Sequence, residues 1–454
     1  MIVTGPPMVV FPPSIDQPSP LTHNRISNTY WQEGKLKQPA DSPGQPGTTG
    51  ALDGITVLDC TQMLAGPLAG LRLGDLGADV LKIEAPGAGE FNRTHGFEDI
   101  TAVGEMTTFL ALNRNKRSVV IDLKKPEGLA VMHDLVRQAD VLIQNFRVGT
   151  ADRIGIGYDR LHEINPRLIY CAITGYGSKG PYRTRAGQDL ILQGYSGSMR
   201  SVGKIGDPPL PSALWAADVM SGYQAVIGVL AALQARGKSG QGQYIEVDML
   251  SAVLDAQLQE LVTYLNSGRQ PTRMKEASAH ALIPAPYGVY ETRDGWLTMA
   301  MCHLPDLGEA LDDDWLRTLT RYNDGAVHRD EIYARIRPRF AQRTTAEWLE
   351  ILDRCGVWAG PVYDYPQLER DPHVVATGIF THQPQGDGVT VRTLRPPLVM
   401  SQTPLSIRRG APPLGAHTAE VLAEKLGYDA KRVNQLIAGG AVGAAPAPPK
   451  EEAV

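Results

Sequence analysis

Ile55-Thr56-Val57-Leu58-Asp59-Cys60 is a short apolar run with β-branched residues, and it reads as a buried strand. Gly66-Pro67 follows and opens a helix, with proline in the first turn, where its missing N–H costs little. Leu68, Leu71 and Leu76 give that helix a buried stripe, and Gly77 is a natural stop. Ala78 to Glu84 supplies a second strand. Strand, helix and strand in so short a span make one βαβ unit.

The alternation continues outward from this unit. Ser118 to Leu123 reads as a strand, Pro126 to about Gln138 as a helix, and Ala139 to Phe146 as a strand. Tyr158 to Ile164 reads as a short helix, and Pro166 to Ile173 as a further strand. Alternating strands and helices predict an α/β fold, a doubly wound and mostly parallel Rossmann-like sheet covered on both faces. Ligands in such sheets sit beyond the carboxyl ends of the strands, here the loops near Gln62, Lys124, Asn145 and Gly175. After about Met249 the rhythm is lost, and a smaller α+β domain is expected. The predicted division is a flexible Pro/Gly-rich extension over 1–50 and a large domain over 51–257. The smaller domain then covers 258–385, with a return to the large domain over 386–430 and a low-complexity tail over 431–454.

The 454 residues carry a net charge of −5, which gives no electrostatic case for nucleic acid or an anionic membrane as partner. Arg114, Lys116 and Arg117 cluster locally. They suit one small polyanionic ligand better than a polymer, or they form a solvated turn. Cys60, Cys171, Cys302 and Cys355 have neither zinc spacing nor a disulfide framework, and a reduced cytoplasmic compartment fits them. The longest apolar run, Ala225 to Leu233, is too short to cross a bilayer, and Met1 to Pro7 has no secretory pattern.

Three familiar motifs fail. Gly237-Lys238-Ser239 has Ala232 where a phosphate-binding loop needs its first glycine, and it follows a helix. Gly194-Tyr195-Ser196-Gly197-Ser198 misses a nucleophile elbow by one position. No G-x-G-x-x-G follows the first strand, and the histidines lack metal-ligand spacing. An enzyme without metal or redox nucleotide remains.

Leu52-Asp53-Gly54-Ile55-Thr56-Val57-Leu58-Asp59, Ala65-Gly66-Pro67, Leu76-Gly77-Ala78-Asp79-Val80 and Lys82-Ile83-Glu84 resemble the opening of class III (CaiB/BaiF, formyl-CoA transferase-like) CoA-transferases. Leu112 to Ser118, Asn145-Phe146-Arg147, Asn165 to Tyr170, Thr174-Gly175-Tyr176-Gly177 and Leu414 to Thr418 continue the resemblance in order, over roughly residues 52 to 430. It implies an enzyme that moves coenzyme A from an acyl-CoA to a carboxylic acid, with no cofactor beyond CoA itself. It also implies an interlocked homodimer.

The family's nucleophilic aspartate follows a Pro-Pro pair and heads an apolar helix. Here Pro208-Pro209-Leu210 through Ala216-Ala217-Asp218 matches, so the resemblance makes Asp218 the nucleophile. Read alone, Asp218 before Val219 to Leu233 is more simply an N-cap, the commonest place for such a residue. The two roles can coexist, since a helix dipole favours the carboxylate, and an ordinary aspartate with pKa near ~3.9 is ionised at neutral pH. The resemblance also implies that Asp122, Leu123 and Lys124, with Asn145, Phe146 and Arg147, line the adenosine end of CoA. Arg153 would lie near its phosphates, or pair with Asp152 or Asp159 instead. Leu64 and Ala65 would sit near pantetheine.

Two departures bear on the substrate: no glycine-rich run lies between Leu258 and Phe340, and Ala85 stands where relatives carry a CoA-contacting arginine. Related racemases use a histidine where this chain has Gln188, in Ala186-Gly187-Gln188-Asp189. An amide cannot shuttle a proton, which argues against racemisation. Asp189 could act chemically or orient its neighbours, and orientation is favoured. A CoA-binding regulator without turnover is the other alternative, and it gives no reason for Asp218.

Overall fold

The computed structural model describes residues 50–444 apart from Tyr322 and Asp387. The expected extension up to residue 49, and residues 445–454, lie outside the described residues.

Six strands form the parallel part of the main sheet: β1 (Thr56–Cys60), β2 (Asp79–Glu84), β3 (Lys116–Ile121), β4 (Val141–Gln144), β5 (Ile169–Thr174) and β6 (Tyr244–Asp248). The smaller domain contributes β7 (Gly288–Glu291), β8 (Trp296–Met299) and β9 (Ala359–Pro361), an antiparallel sheet of its own. A hairpin, β10 (Phe380–Pro384) and β11 (Thr390–Leu394), follows, and β12 (Val442–Gly443) returns to the main sheet. The helices that matter here are α1 (Ala65–Asp75), α2 (Pro126–Gln138), α3 (Asp189–Ser196), α4 (Ala216–Ser239), α5 (Leu258–Ser267), α6 (Arg329–Phe340), α7 (Thr418–Leu426) and α8 (Ala430–Ala438).

The main sheet runs β12-β3-β2-β1-β4-β5-β6, parallel except for the edge strand β12. Order 3-2-1-4-5-6 puts the topological switch between β1 and β4, where the loops after the two strands diverge and leave a crevice. Alternate residues of each strand feed two cores. Leu58, Leu81, Leu142 and Tyr170 face α2, α7 and α8, while Val57, Val80, Val141 and Ile169 face α1 and α4. A sheet buried on both faces explains why its strands read as unbroken apolar runs.

Three expectations need correction. The chain from 431 is not a tail in its described part: α8 packs Val433 and Leu436 into the first core, and Val442 pairs with Ile121. Its glycines and alanines concealed an amphipathic helix. The apolar run that looked too short belongs to α4, a 24-residue helix long and apolar enough to cross a membrane. Part of that apolar surface is spent against α1 and the sheet, where Ala225, Val226 and Val229 are buried.

The cluster Arg114, Lys116 and Arg117 is neither a free anion site nor a solvated turn. All three are at most 4% exposed. Arg114 grips Asp75 through two nitrogens, Lys116 donates to Asp59 at 2.8 Å, and Arg117 pairs with Asp79, Glu420 and Glu424. Buried cations persist when paired and hydrogen-bonded in this way.

Candidate active site

Helix α4 starts at Ala216, so Asp218 is its third residue and not its cap. The N-cap position is Trp215, whose side chain makes no cap hydrogen bond. That leaves the first N–H groups of the helix without a local acceptor. Asp189, at the first position of α3, supplies one: its Oδ1 accepts from Ala217 N at 2.7 Å and from Asp218 N at 3.3 Å. Its Oδ2 accepts from Gln193 Nε2 at 2.5 Å. The same Gln193 accepts from Ser212 N at 2.9 Å and donates to the carbonyls of Ser212 and Leu214. Gly175 and Gly187 allow this closure, because a Cβ on either would come within 2.7 Å of the other's Cα.

The dipole of α4 does not hold Asp218 in its ordinary range, as the sequence led one to expect. Burial, and then the negative charge of Asp189, push its pKa up to about 6. It remains mostly carboxylate at neutral pH, now a more basic one. Phe97 and Trp215 stack at 6.2 Å beside this turn.

Across from it, the turn between β1 and α1 is fixed with unusual completeness. Thr61 N donates to Asp59 and its carbonyl accepts from Lys82; Gln62 N and O both bond the side-chain amide of Asn145. Met63 N donates to Glu90 and its carbonyl accepts from Asn92. Every backbone polar group of three consecutive residues is thus taken by a side chain, and Met63 is held at φ +68°. Burial alone would raise the pKa of Asp59, but Lys116 and Lys82 hold it down at about 2. The turn delivers Leu64 and Ala65 to α4: a Cβ on Gly222, one turn after Asp218, would lie 2.8 Å from Ala65 O.

The residues expected around CoA fall at the carboxyl ends of three strands. Asp122, Leu123 and Lys124 follow β3, with Asp122 Oδ1 accepting from Lys124 N. Asn145, Phe146 and Arg147 follow β4. Phe146 packs on the first core, Arg147 is exposed, and Asn145 spends its amide on Gln62, which ties the β4 loop to the β1 turn across the switch point. Arg153 is exposed and donates to Thr150 Oγ1, not to Asp152 or Asp159. Gln188 is exposed, in extended backbone just before α3. Leu64 and Ala65 meet the helix of Asp218, whereas Asp122 lies just before α2 and Arg153 ends a short helical turn, Thr150–Arg153.

Residues 52–418 match CoA-transferase family III. A succinate–glutarate CoA-transferase of Agrobacterium fabrum is 38% identical over 391 residues, covering 82% of this chain and 95% of that protein. The succinyl-CoA–L-malate CoA-transferase beta subunit of Chloroflexus aurantiacus is 36% identical, covering 86% of this chain and 97% of its own length. A crystal structure of a CaiB/BaiF family protein from Brucella suis superposes with a TM-score of 0.73 at 34% identity, over 83% of this chain and all of that one. The chain belongs to CoA-transferase family III.

As a CoA-transferase it acts on an acyl-CoA and a carboxylic acid. Several residues that hold the first turn of α4 and the β1–α1 turn carry no sequence signal of their own. Glu90 and Asn92 lie in an irregular stretch, and nothing in their spacing points back to Met63. Gln193 had one available signal, its i,i+4 spacing from Asp189. The smaller domain holds a separate cavity of about 430 Å³ lined by Tyr287, Gly288, Val289, Thr298, Met299 and Trp358, among others, and none of the expected site residues belongs to it.

Proposed function

We propose that the enzyme moves coenzyme A between short dicarboxylic acids through two covalent states of Asp218. The observation that carries this reading is the seat of Asp218. It is a partly buried carboxylate of raised basicity, in the first turn of a helix that touches the β1–α1 turn at the carboxyl end of a parallel sheet. Asp218 attacks the thioester carbon of the donor, the C–S bond breaks, and CoA thiolate leaves a mixed anhydride behind. The thiolate then attacks the aspartyl carbonyl carbon and expels the donor acid, giving an aspartyl-CoA thioester. The acceptor carboxylate attacks that carbon and releases the thiolate, which takes the new acyl group and frees Asp218. No proton is gained or lost overall. The covalent route replaces one difficult exchange by several acyl transfers.

Dicarboxylates as substrates are supported by relatives named for succinate, glutarate and malate. In this reading Asp122, Leu123, Lys124, Phe146, Arg147 and Arg153 line the nucleotide end of CoA, with Asn145 acting through Gln62. Leu64 and Ala65 line the pantetheine end, and Gln188 sits beside the acyl group. No cofactor beyond CoA is needed. A homodimer in a reducing cytoplasm fits four unpaired cysteines and an exposed apolar surface. The test is mass spectrometry of wild type and Asp218→Ala after incubation with succinyl-CoA. A CoA adduct is expected on the peptide holding residue 218 of the wild type alone. Full exchange activity in Asp218→Ala overturns the reading.

A further inference from the structure

Asp189 is 4% exposed and is a residue of the fold's interior, yet no cation faces it among its hydrogen-bond partners. Its partners are two backbone N–H groups at the start of α4 and the amide of Gln193, itself 2% exposed. A neutral residue could fill such a place at lower desolvation cost, since an ionised carboxylate is expensive to bury. The arrangement has a geometric consequence. One carboxylate seats the first turn of α4, while its hydrogen-bonded glutamine seats the 212–214 stretch that leads into that turn. Both approaches to Asp218 are therefore held by one pair of side chains.

We infer that Asp189, backed by Gln193, is a positioning residue for the transfer reaction: it seats the first turn of α4 and so aims the Asp218 carboxylate at the thioester. This inference rests on Asp218 being the nucleophile. Electrostatics add to the geometry. The acidic groups on elements around Asp218 are Asp189 on α3, Glu98 and Asp99 on the turn that carries Phe97, and Asp255 beyond α4. On the opposing α1 the charged side chains are Arg72 and Asp75, in its last turn. Of these, Asp189 is the one whose charge raises the basicity of Asp218. A more basic carboxylate is a better nucleophile toward the thioester and a poorer leaving group from the anhydride, so the returning thiolate is directed to the aspartyl carbonyl and expels the donor acid. Asp189 thus sets position and reactivity together.

Asp189→Asn tests this, because the amide is isosteric but uncharged and sets its Nδ2 against the Gln193 donor. With succinyl-CoA as donor and glutarate as acceptor, kcat is expected to fall roughly ten- to a hundredfold, with the KM for succinyl-CoA within about twofold of wild type. The acid limb of kcat/KM is expected to move down by about one pH unit, because a negative neighbour has gone. A residue with a merely structural role would lower the fraction of active enzyme, counted by CoA-adduct formation, and leave the limb in place. An unmoved limb with kcat per active site intact overturns the inference. If Asp189→Asn does not fold, Gln193→Leu is measured instead: a lowered kcat at unchanged KM supports the clamp, and an unchanged kcat overturns it. Asp218→Ala serves as the separating control, since activity there defeats the nucleophile itself, whereas an inert Asp218→Ala beside an unaffected Asp189→Asn defeats only the positioning role.

Discussion

Ionising Asp218 works against the fold, because burial and the charge of Asp189 both oppose a second negative charge at the start of α4. The folded-state pKa of about 6 lies above the unfolded value, so protonated Asp218 is favoured by folding. Whatever stability this group contributes is complete below about pH 4 and lost as pH rises through 6. Asp218→Asn removes the titration. It is expected to stabilise the protein by about 1–3 kcal/mol at pH 7.5 and by almost nothing near pH 4. Thermal melts of both proteins across that range check the difference, and a gain that does not vary with pH would contradict it. That Asp218 stands at the start of a long apolar helix was legible from the Pro-Pro pair and the apolar run that follows it. Its environment was not. The residue that caps its helix lies 28 positions upstream of Ala217, and no local pattern encodes a cap delivered from another helix.

Asn115 shows how an element is fastened by one side chain. It sits at φ +61°, a conformation in which asparagine is among the few tolerated non-glycine residues. Its Nδ2 donates to Asp75 Oδ1 and Ser406 O, and its Oδ1 accepts from the backbone N–H groups of Arg408 and Arg409. The segment that returns from the smaller domain is thereby pinned beside β3, with Arg408 reaching back to the carbonyls of Gly74 and Ala78. Asn115→Ala loses four hydrogen bonds and adds backbone strain, for an expected cost of about 3–5 kcal/mol. Asn115→Gly loses the same bonds without the strain and should cost about 1 kcal/mol less. Urea unfolding measures both, and equal costs would remove the conformational part of the argument. At this scale the parallel strands and α2 were readable, because doubly buried strands are apolar throughout and Pro126 marks a helix start. The role of the Leu112 to Ser118 motif was not. Whether a cation meets solvent, ligand or a buried carboxylate depends on Asp59, Asp75 and Asp79, which only the folded sheet brings alongside.

The described chain leaves more apolar surface in water than its two-faced sheet can account for. Helix α5 has no buried residue at all, yet Leu258, Val262 and Leu265 project from it. Tyr223, Ile227 and Leu230 form an exposed stripe on α4, and Leu398, Val399 and Met400 follow one another in the returning segment. A monomer rarely carries several such patches, because each contiguous apolar area in water forgoes a stabilisation of about 25 cal/mol per Å². A second copy of the chain is the partner that a homo-oligomer would place there, through a self-complementary interface. Sedimentation equilibrium of the wild type is therefore expected to give twice the chain mass down to low concentration. Leu265→Asp combined with Val399→Asp should shift that equilibrium toward the single chain, because two unpaired carboxylates would have to be buried at the interface. Activity in the same samples then shows whether a lone subunit can complete the transfer. A wild type that sediments as one chain across the concentration range, with those side chains still in water, would leave the surface without an occupant and defeat the dimer.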